Sequence, residues 1–189
     1  MAWDVLERNL PRYRFVERHQ RFIDTPPARV WQALHTARVE GSGITKTAIA
    51  LRMLPARLAG RPTPPAPTLF DLSGMANFIR LGAIPQKEFV LGMVGQFWRA
   101  QGGLLPLEAA AFADFDDPAY AKLVFGFLLV PQSGGTLLKT ETRVHGLSPA
   151  SERRFWPYWL LIRPVSGMIR RQILDGIAQE AQRSPSAEA

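Results

Sequence analysis

The sequence contains no cysteine, which excludes a disulfide framework, a thiol nucleophile and a cysteine-bound metal. No stretch approaches the roughly 18 consecutive apolar residues of a membrane-spanning helix. The N-terminal segment MAWDVLERNLPRYR places acidic residues and arginines before any apolar run, unlike a secretory signal. We therefore expect a cytoplasmic protein.

Recognised motifs for catalysis and metal binding are also missing. The three histidines, His19, His35 and His145, have no neighbouring acid or histidine at a zinc-binding spacing, so we expect surface or hydrogen-bonded structural roles for them. The segment GSGITKT at 41–47 lacks the spacer and the ending of a phosphate-binding loop, and no Gly-x-Ser-x-Gly elbow is present. From the residues we predict no catalytic set, no metal and no cofactor.

Positive charge is in excess, with 23 lysines and arginines against 16 acidic residues and a formal net charge of +7. Such a charge attracts polyanions in general. The basic residues are scattered from Arg8 to Arg183 without a lysine- or arginine-rich block, and no nucleic-acid-binding motif accompanies them. The pattern argues against nucleic acid as the partner and is typical of an arginine-rich, solvated surface.

The length of 189 residues and a hydrophobic content of 47% fit one domain with a substantial core. No internal repeat and no second domain are evident. We predict a single domain over residues 1–182, followed by a disordered tail over 183–189. Composition leaves the oligomeric state undetermined.

The C-terminal region has the spacing of one long amphipathic helix. Residues at intervals of three and four form a stripe on one face: Phe155, Trp159, Ile162, Ser166, Ile169, Ile173 and Ile177. Ser148 followed by Pro149 is a favourable N-cap and first-turn pair. Pro157 and Pro164 each remove an intrahelical hydrogen bond, so we predict a bent or interrupted helix over 149–182.

The rest of the chain alternates between short helical and strand patterns. Asp24 or Thr25 precedes PPARVWQALHT, whose prolines occupy the tolerated first turn of a helix. A second helix is predicted over 44–58, and the proline-rich segment 61–67 is interpreted as a connector or lid. Apolar runs bounded by glycine and proline predict strands over 13–23, 78–84, 89–98, 110–115, 122–130 and 136–145.

The loop PQSGG joins the last two strands as a hairpin, and their side-chain pattern selects a register in which Val130 faces Leu137. One face then carries Leu123, Phe125, Phe127, Leu129, Leu138, Thr140, Thr142 and Val144. On the other face, Glu141, Arg143 and His145 are interpreted as an outward polar ladder. The alternative is a buried Glu141–Arg143 pair that reaches into a pocket. A slip of one residue would place ionised Glu141 among core phenylalanines, so we reject that register.

The apolar face of the curved sheet, roofed by the C-terminal helix, is the predicted binding surface. It offers bulky apolar side chains with a few hydroxyl groups, which suits a mostly apolar ligand with some polar atoms. The predicted ligand-binding residues are Phe89, Leu91, Met93, Phe97, Phe125, Phe127, Thr140, Thr142, Trp159, Ile162 and Ser166. Ser166 has two interpretations: a hydrogen-bonding handle for the ligand, or a small residue that allows close packing near Pro164.

The chain carries a resemblance to a known superfamily in three places. FIDTPPARVWQAL, the run of strands, and TETRV followed by FWPYWLLIRPVSGMIRR resemble the START, polyketide-cyclase and pollen-allergen superfamily, SRPBCC, over roughly residues 13–181. GMVGQFWR and TETRV resemble a largely uncharacterised bacterial branch of it.

The resemblance implies an α+β helix-grip fold. In that fold a curved antiparallel sheet wraps around a long C-terminal helix, two short helices follow the first strand, and a cavity for hydrophobic molecules lies between sheet and helix. Members bind or carry lipids, sterols, quinones and polyketides, and a minority catalyse cyclisation or dehydration. The resemblance implies no fixed catalytic set.

Three functional hypotheses follow. The leading one is binding or carriage of a small hydrophobic molecule such as a lipid, quinone, sterol or polyketide-like compound. An enzyme alternative is a cyclase or dehydratase that positions a polyketide-like substrate beside Arg80, Tyr158 or Arg163. A further alternative is a lipid-interacting protein at a membrane surface. The residues for that contact are Arg153, Trp156, Tyr158, Trp159 and Arg163.

Overall fold

The computed structural model of the chain describes residues 2–37, 78–99 and 103–183. The elements in chain order are α1 Val5–Asn9, β1 Phe15–Ile23, α2 Pro27–Thr36, β2 Ile79–Ile84, β3 Glu88–Gly95, β4 Leu104–Leu105, α3 Ala109–Phe112, β5 Ala121–Gln132, β6 Gly135–Gly146 and α4 Pro149–Gln182. The predicted helix at 44–58, the proline-rich segment at 61–67 and residues 184–189 of the predicted tail lie outside the described residues.

Six strands within the described residues form one antiparallel sheet in the order β1-β6-β5-β3-β2, with β4 added beside β3. The β5–β6 hairpin pairs Val130 with Leu137, so the register predicted from the side-chain pattern is confirmed. Helices α2 and α4 pack on one face of the sheet, which we call the inner face. The predicted α+β helix-grip arrangement, a sheet with a long C-terminal helix across it, is confirmed.

Helix α4 begins where the sequence predicts. The Ser148 hydroxyl accepts a hydrogen bond from the Ser151 N–H, and the Ser148 N–H donates to the Ser151 hydroxyl, forming a capping box. The helix was predicted to be bent or interrupted; interruption is wrong, since the helix continues through Pro157 and Pro164, and a bend stays a prediction. Burial of its apolar stripe against the sheet holds it together across both prolines. Neither α4 nor any other described helix is both long enough and apolar enough to cross a membrane.

The strand predicted over 110–115 is also wrong, because this segment contains helix α3. Alanine has the highest helix propensity, and three alanines precede Phe112. Phe112 is fully buried on the side of the sheet opposite α4, which we call the outer face. Leu104 and Leu105, which the alternation does not single out, form the short strand β4.

The inner face carries the aromatic core that holds α4. The rings of Phe125 and Phe127 meet edge to face, with their centres 4.8 Å apart. Nearer the start of α4, Phe15 of β1 meets Phe155 in the same way at 4.8 Å. Such pairs add directional attraction to the burial of apolar area, so they fix the position of α4 over the sheet.

The outer face is covered by the N-terminal segment and by α3. Val5 and Leu6 of α1 pack with Phe112 and with Val90 and Val124 of the sheet. The N-terminal segment lies close to β5 at Gly126. A Cβ atom added to this glycine would lie only 2.8 Å from the Trp3 ring. This cover was not predicted, and it changes the environment of the polar residues on that face.

Glu141 and Arg143 lie on the outer face as the register requires, but the predicted outward polar ladder is wrong for them. They are only 5% and 3% exposed. Arg143 Nε donates to Glu141 Oε1 at 2.7 Å, and Arg143 Nη2 donates to Glu7 Oε1 at 2.5 Å. Arg18 Nε donates to Glu141 Oε2 at 2.9 Å. The pair is therefore buried, and it ties the N-terminal segment to the sheet instead of reaching into an inner pocket.

These ion pairs predict an acid-sensitive fold. Burial raises the pKa of Glu141, but hydrogen bonds from Arg18 and Arg143 outweigh it, so the pKa lies below its ordinary value of 4.5. The hydrogen bond from Arg143 likewise lowers the pKa of Glu7. A carboxyl group with a lowered pKa contributes stability that is fully present above its unfolded pKa and is lost as pH falls through its folded pKa.

We therefore expect the free energy of unfolding to fall as pH drops below about 4.5, with Glu141→Gln showing a shallower fall. Urea titrations of both proteins at a series of pH values measure this. Equal pH slopes for the two proteins would contradict the role given to Glu141.

Candidate ligand site between the sheet and the C-terminal helix

Eight of the eleven predicted ligand-binding residues lie in two neighbouring clusters between the sheet and α4, which share contacts with Phe78 and Leu123. One cluster contains Phe89, Leu91, Phe125 and Phe127. The other contains Met93, Phe97, Trp159 and Ile162. Thr140 and Thr142 are buried on the inner face, and Ser166 is half-buried on α4. The structure brings these residues together, while their role in binding stays a prediction.

Strand β1 adds two polar residues to the inner face that were not among the predicted site residues. Glu17 and His19 alternate with Phe15 and Ile23, so they point toward α4. Glu17 is 8% exposed, and its Oε1 lies 2.8 Å from His19 Nε2. An ionised carboxylate can only accept, so the proton of this bond is assigned to the histidine ring. The pair can hold or transfer a proton at the edge of the inner face.

Gly167 brings α4 close to this pair. A Cβ at position 167 would lie 2.8 Å from Glu17 Oε1 and 3.5 Å from the His19 ring. The small residue that permits close packing at this contact is therefore Gly167. Its neighbour Ser166 keeps both interpretations.

Arg170, less than one turn further along α4, extends over the same face. Its guanidinium carbon lies 3.7 Å from the centre of the Phe125 ring, a cation–π contact. Burial lowers the pKa of Arg170 to about 10, against an opposing effect of Glu17. The group therefore remains positively charged at neutral pH, within an interior that is mainly aromatic.

Three buried side-chain atoms in the described part of the chain have no hydrogen-bond partner: Glu17 Oε2, Thr140 Oγ1 and Arg170 Nε. They belong to one region, because Thr140 pairs with His19 on one side and with Phe127 on the other. Each buried polar group left unpaired costs about 1–3 kcal/mol. A cluster retained at such a cost requires an explanation, and a bound molecule that supplies the partners is one.

An open cavity of ≈ 640 Å³ lies between β1 and α4; of the three residues with unpaired atoms, Glu17 lines it and Thr140 and Arg170 do not. Glu17 and His19 line it from the strand, and Gly167 lines it from the helix. Three exposed arginines also line it: Arg163 and Arg171 of α4, which we call the rim arginines, and Arg18 of β1, which pairs with Glu141. Small-molecule sites commonly measure about 300–1,000 Å³, so this opening has the size of a ligand site.

The three polar residues considered for catalysis do not form one pocket in the described structure. Arg163 lines the cavity between β1 and α4. Arg80 lies on β2, with its guanidinium carbon 5.8 Å from the Phe89 ring centre. Tyr158 packs against Phe155, with ring centres 5.7 Å apart. Of the three, only Arg163 lines this cavity, which the Glu17–His19 pair lines as well.

One signal in the sequence marks the unpredicted site residues. The strand FVERHQRFI carries charged or polar side chains on both of its alternating faces, whereas a strand packed under a helix normally has one apolar face. Because neither face of β1 is wholly apolar, packing this strand under a helix must bury some of its polar residues. Glu17 is buried in this way, and His19 is half-buried. Arg170 has no comparable signal, because it lies beside the apolar stripe of α4 and not in it.

Two buried threonines provide a test of the unpaired hydroxyl. Thr140→Val removes a hydroxyl without a partner, so we expect the free energy of unfolding to stay constant or rise by about 1 kcal/mol. The matched control is Thr136→Val, because the Thr136 hydroxyl donates to the Thr25 carbonyl at 2.8 Å. That variant should lose about 1–3 kcal/mol in urea unfolding. Equal losses in both variants would mean that the Thr140 hydroxyl is paired in solution.

Comparisons with known proteins show low sequence identity. No protein-family model matches the chain, and no curated protein matches it. Protein MLL2253 from Mesorhizobium loti is 17% identical with a TM-score of 0.42, over 90% of this chain and 99% of that chain. Protein CV1439 from Chromobacterium violaceum is 14% identical with a TM-score of 0.39, over 89% and 98%. The protein Ara h 8.0201 is 11% identical with a TM-score of 0.28, over 87% and 98%.

With TM-scores this low, these likenesses say nothing of a ligand or a reaction. The architecture itself is the stronger observation. The described residues form an antiparallel sheet whose inner face holds the 34-residue helix α4. This protein has an α+β helix-grip fold.

Proposed function

We propose that this protein binds or carries a small hydrophobic molecule between the inner face of the sheet and α4. The observation that carries the proposal is the group of three unpaired polar atoms beneath α4, on Glu17, Thr140 and Arg170, of which Glu17 also lines an open cavity of ≈ 640 Å³. A mainly apolar site with a few polar atoms is the usual composition of a small-molecule pocket. A ligand that pairs those atoms would remove the cost of leaving them unpaired.

The apolar neighbours would supply most of the affinity. Arg170 lies over the Phe125 ring, so a ligand group that pairs with Arg170 Nε would lie near the aromatic side chains beneath α4. Apolar surface removed from water contributes about 25 cal/mol per Å² before ordering costs are subtracted. The polar cluster would then set the orientation of the ligand and contribute less to its affinity.

Native mass spectrometry of the purified protein, followed by solvent extraction, tests this function. We expect a stoichiometric small-molecule adduct whose extract is apolar. Apo protein should in addition show a higher melting temperature with members of a lipid, quinone and hydroxyaromatic panel, because ligands that bind only the native state stabilise it. A clean apo mass together with no melting shift across the panel would contradict the proposal.

Contact with a membrane surface is a second candidate, favoured by the outward side of α4. Trp156, Leu160 and Leu161 are 53%, 51% and 78% exposed. Exposed arginines at 153 and 154 precede them on the same helix. Apolar and aromatic side chains beside basic ones are typical of helices that lie in a lipid interface.

This candidate predicts weaker vesicle binding when the leucines are replaced. The double variant Leu160→Ser with Leu161→Ser should lower co-sedimentation with phosphatidylserine-containing vesicles about tenfold. Phe22→Ser is the control, because Phe22 is 47% exposed on β1, outside this patch. Equal sedimentation of the double variant and the wild type would contradict a role for the patch.

A further inference from the structure

The unpaired atoms also limit the chemistry of the molecule that the site accepts. Glu17 Oε1 is engaged with His19, so Oε2 is the acceptor that remains for a ligand. Arg170 Nε–H is a donor, and the Thr140 hydroxyl can act as donor or acceptor. A molecule that satisfies the cluster must therefore offer a donor to Glu17 and an acceptor to Arg170.

We propose that the ligand is a neutral apolar molecule that presents a hydroxyl group, as in an alcohol, a phenol or an enol, to Glu17 and Arg170. This inference rests on the proposed function, since it names the chemistry of the molecule held in the same site. A hydroxyl group can donate its proton to Glu17 Oε2 and can accept from Arg170 Nε–H, so one type of ligand group has the chemistry that both atoms require.

Thr140 extends the polar surface to a second position. It is the partner of His19 in the β1–β6 register, so it lies diagonally from Glu17 on the inner face. Diagonal neighbours on paired strands are about 7–8 Å apart. Thr140 therefore pairs with a second oxygen of a ring-sized ligand, separate from the hydroxyl group at Glu17.

Charged ligands fit this arrangement less well. A carboxylate or phosphate would bring a second anion to Glu17, which is 8% exposed and poorly screened by water. An ammonium group would meet the guanidinium of Arg170 and the rim arginines Arg163 and Arg171. Glu17 and Arg170 carry opposite charges, so a neutral hydroxyl group enters without leaving an unbalanced buried charge.

Three probes on one ring system test the inference by isothermal titration at neutral pH: 2-naphthol, 2-methoxynaphthalene and 2-naphthoate. The ether keeps the ring and the oxygen acceptor but has no donor for Glu17. We expect 2-naphthol to bind the wild-type protein about tenfold more tightly than the ether, the effect of one buried hydrogen bond to a charged group. We expect 2-naphthoate to bind more weakly than 2-naphthol.

The preference should depend on Glu17. Glu17→Met removes the acceptor and should bring 2-naphthol and its ether to similar affinities, whereas the control Thr136→Val should keep the preference of the wild type. The comparison of 2-naphthol with its ether needs no variant, so it remains decisive if Glu17→Met does not fold.

Two results would overturn the inference while leaving the proposed function in place. Equal affinities for 2-naphthol and its ether would mean that water, and not a ligand hydroxyl, pairs with Glu17. Tightest binding of 2-naphthoate would mean that the rim arginines select an anion. Failure of the wild-type protein to bind any of the three probes would count against the proposed function itself.

Discussion

Replacement of Arg143 by methionine is expected to lower the free energy of unfolding by about 3–5 kcal/mol, the cost of leaving a buried charge without its partner. Arg143 is 3% exposed and hydrogen-bonds the carboxylates of Glu141 and Glu7 and the carbonyl of Leu10. Methionine keeps the apolar stem and removes the charge and all of these hydrogen bonds. Urea unfolding followed by circular dichroism measures the loss.

The matched control is Arg14→Met. Arg14 pairs with Glu152 at 3.0 Å, but its side chain is 65% exposed, so the expected loss is about 0–1 kcal/mol. The double variant Glu141→Leu with Arg143→Met should recover part of the stability, because no carboxylate of the pair is left buried. A loss in Arg143→Met no larger than in Arg14→Met would contradict the buried ion-pair network.

The second large effect is expected from Glu88→Leu. Glu88 is fully buried, and its carboxylate accepts hydrogen bonds from the backbone N–H groups of Asp4, Val5 and Leu6 at 2.8, 3.0 and 2.8 Å. These N–H groups belong to the first turn of α1, which has no side-chain cap of its own. Hydrogen bonds to a charged group contribute about 1.5–3 kcal/mol each. Burial of the apolar leucine side chain offsets part of the loss of three such bonds, so we expect a net loss of about 3–5 kcal/mol.

Hydrogen exchange distinguishes local release of α1 from global unfolding in Glu88→Leu. The Leu6 amide should lose protection more than the amides of β5 and β6, because the N-terminal segment detaches first. Glu88→Gln is the control, since its amide oxygen can still accept and the loss should be smaller. Unchanged protection of the Leu6 amide in Glu88→Leu would contradict the role of Glu88 as the anchor of α1.

Features of the fold that depend on local periodicity were predictable from sequence. The spacing of the α4 stripe and the cap at Ser148 gave the bounds of that helix, and the alternation in β5 and β6 gave the pairing of Val130 with Leu137. The helix bounds and the strand register both depend on residues close together in the chain, so they can be recognised in the sequence without knowledge of the tertiary structure.

Features that depend on distant parts of the chain were not predictable. Glu141 and Arg143 were assigned to solvent because their face of the hairpin is polar, yet the N-terminal segment covers it from more than 130 positions away in the sequence. Glu17 was missed for the same reason: its burial depends on the close approach of α4 at Gly167. The polar side chains on both faces of β1 mark Glu17 as unusual, but neither β1 nor β6 carries a local sign of which element covers its charged residue.

Methyl-detected NMR during titration with 2-naphthol tests the central claim most directly, because it locates a ligand within the fold. Methyl groups on the inner and outer faces of the sheet are observed in the same sample, so the two faces can be compared directly. We expect the largest shift changes at the methyl groups of Thr140 and Leu91 beneath α4 and of Ile173 on α4. The chemical shifts of the Val90 and Val124 methyl groups on the outer face should not change. Shift changes confined to the outer face or to Leu161, or no changes at saturating probe, would contradict a ligand site between the sheet and α4.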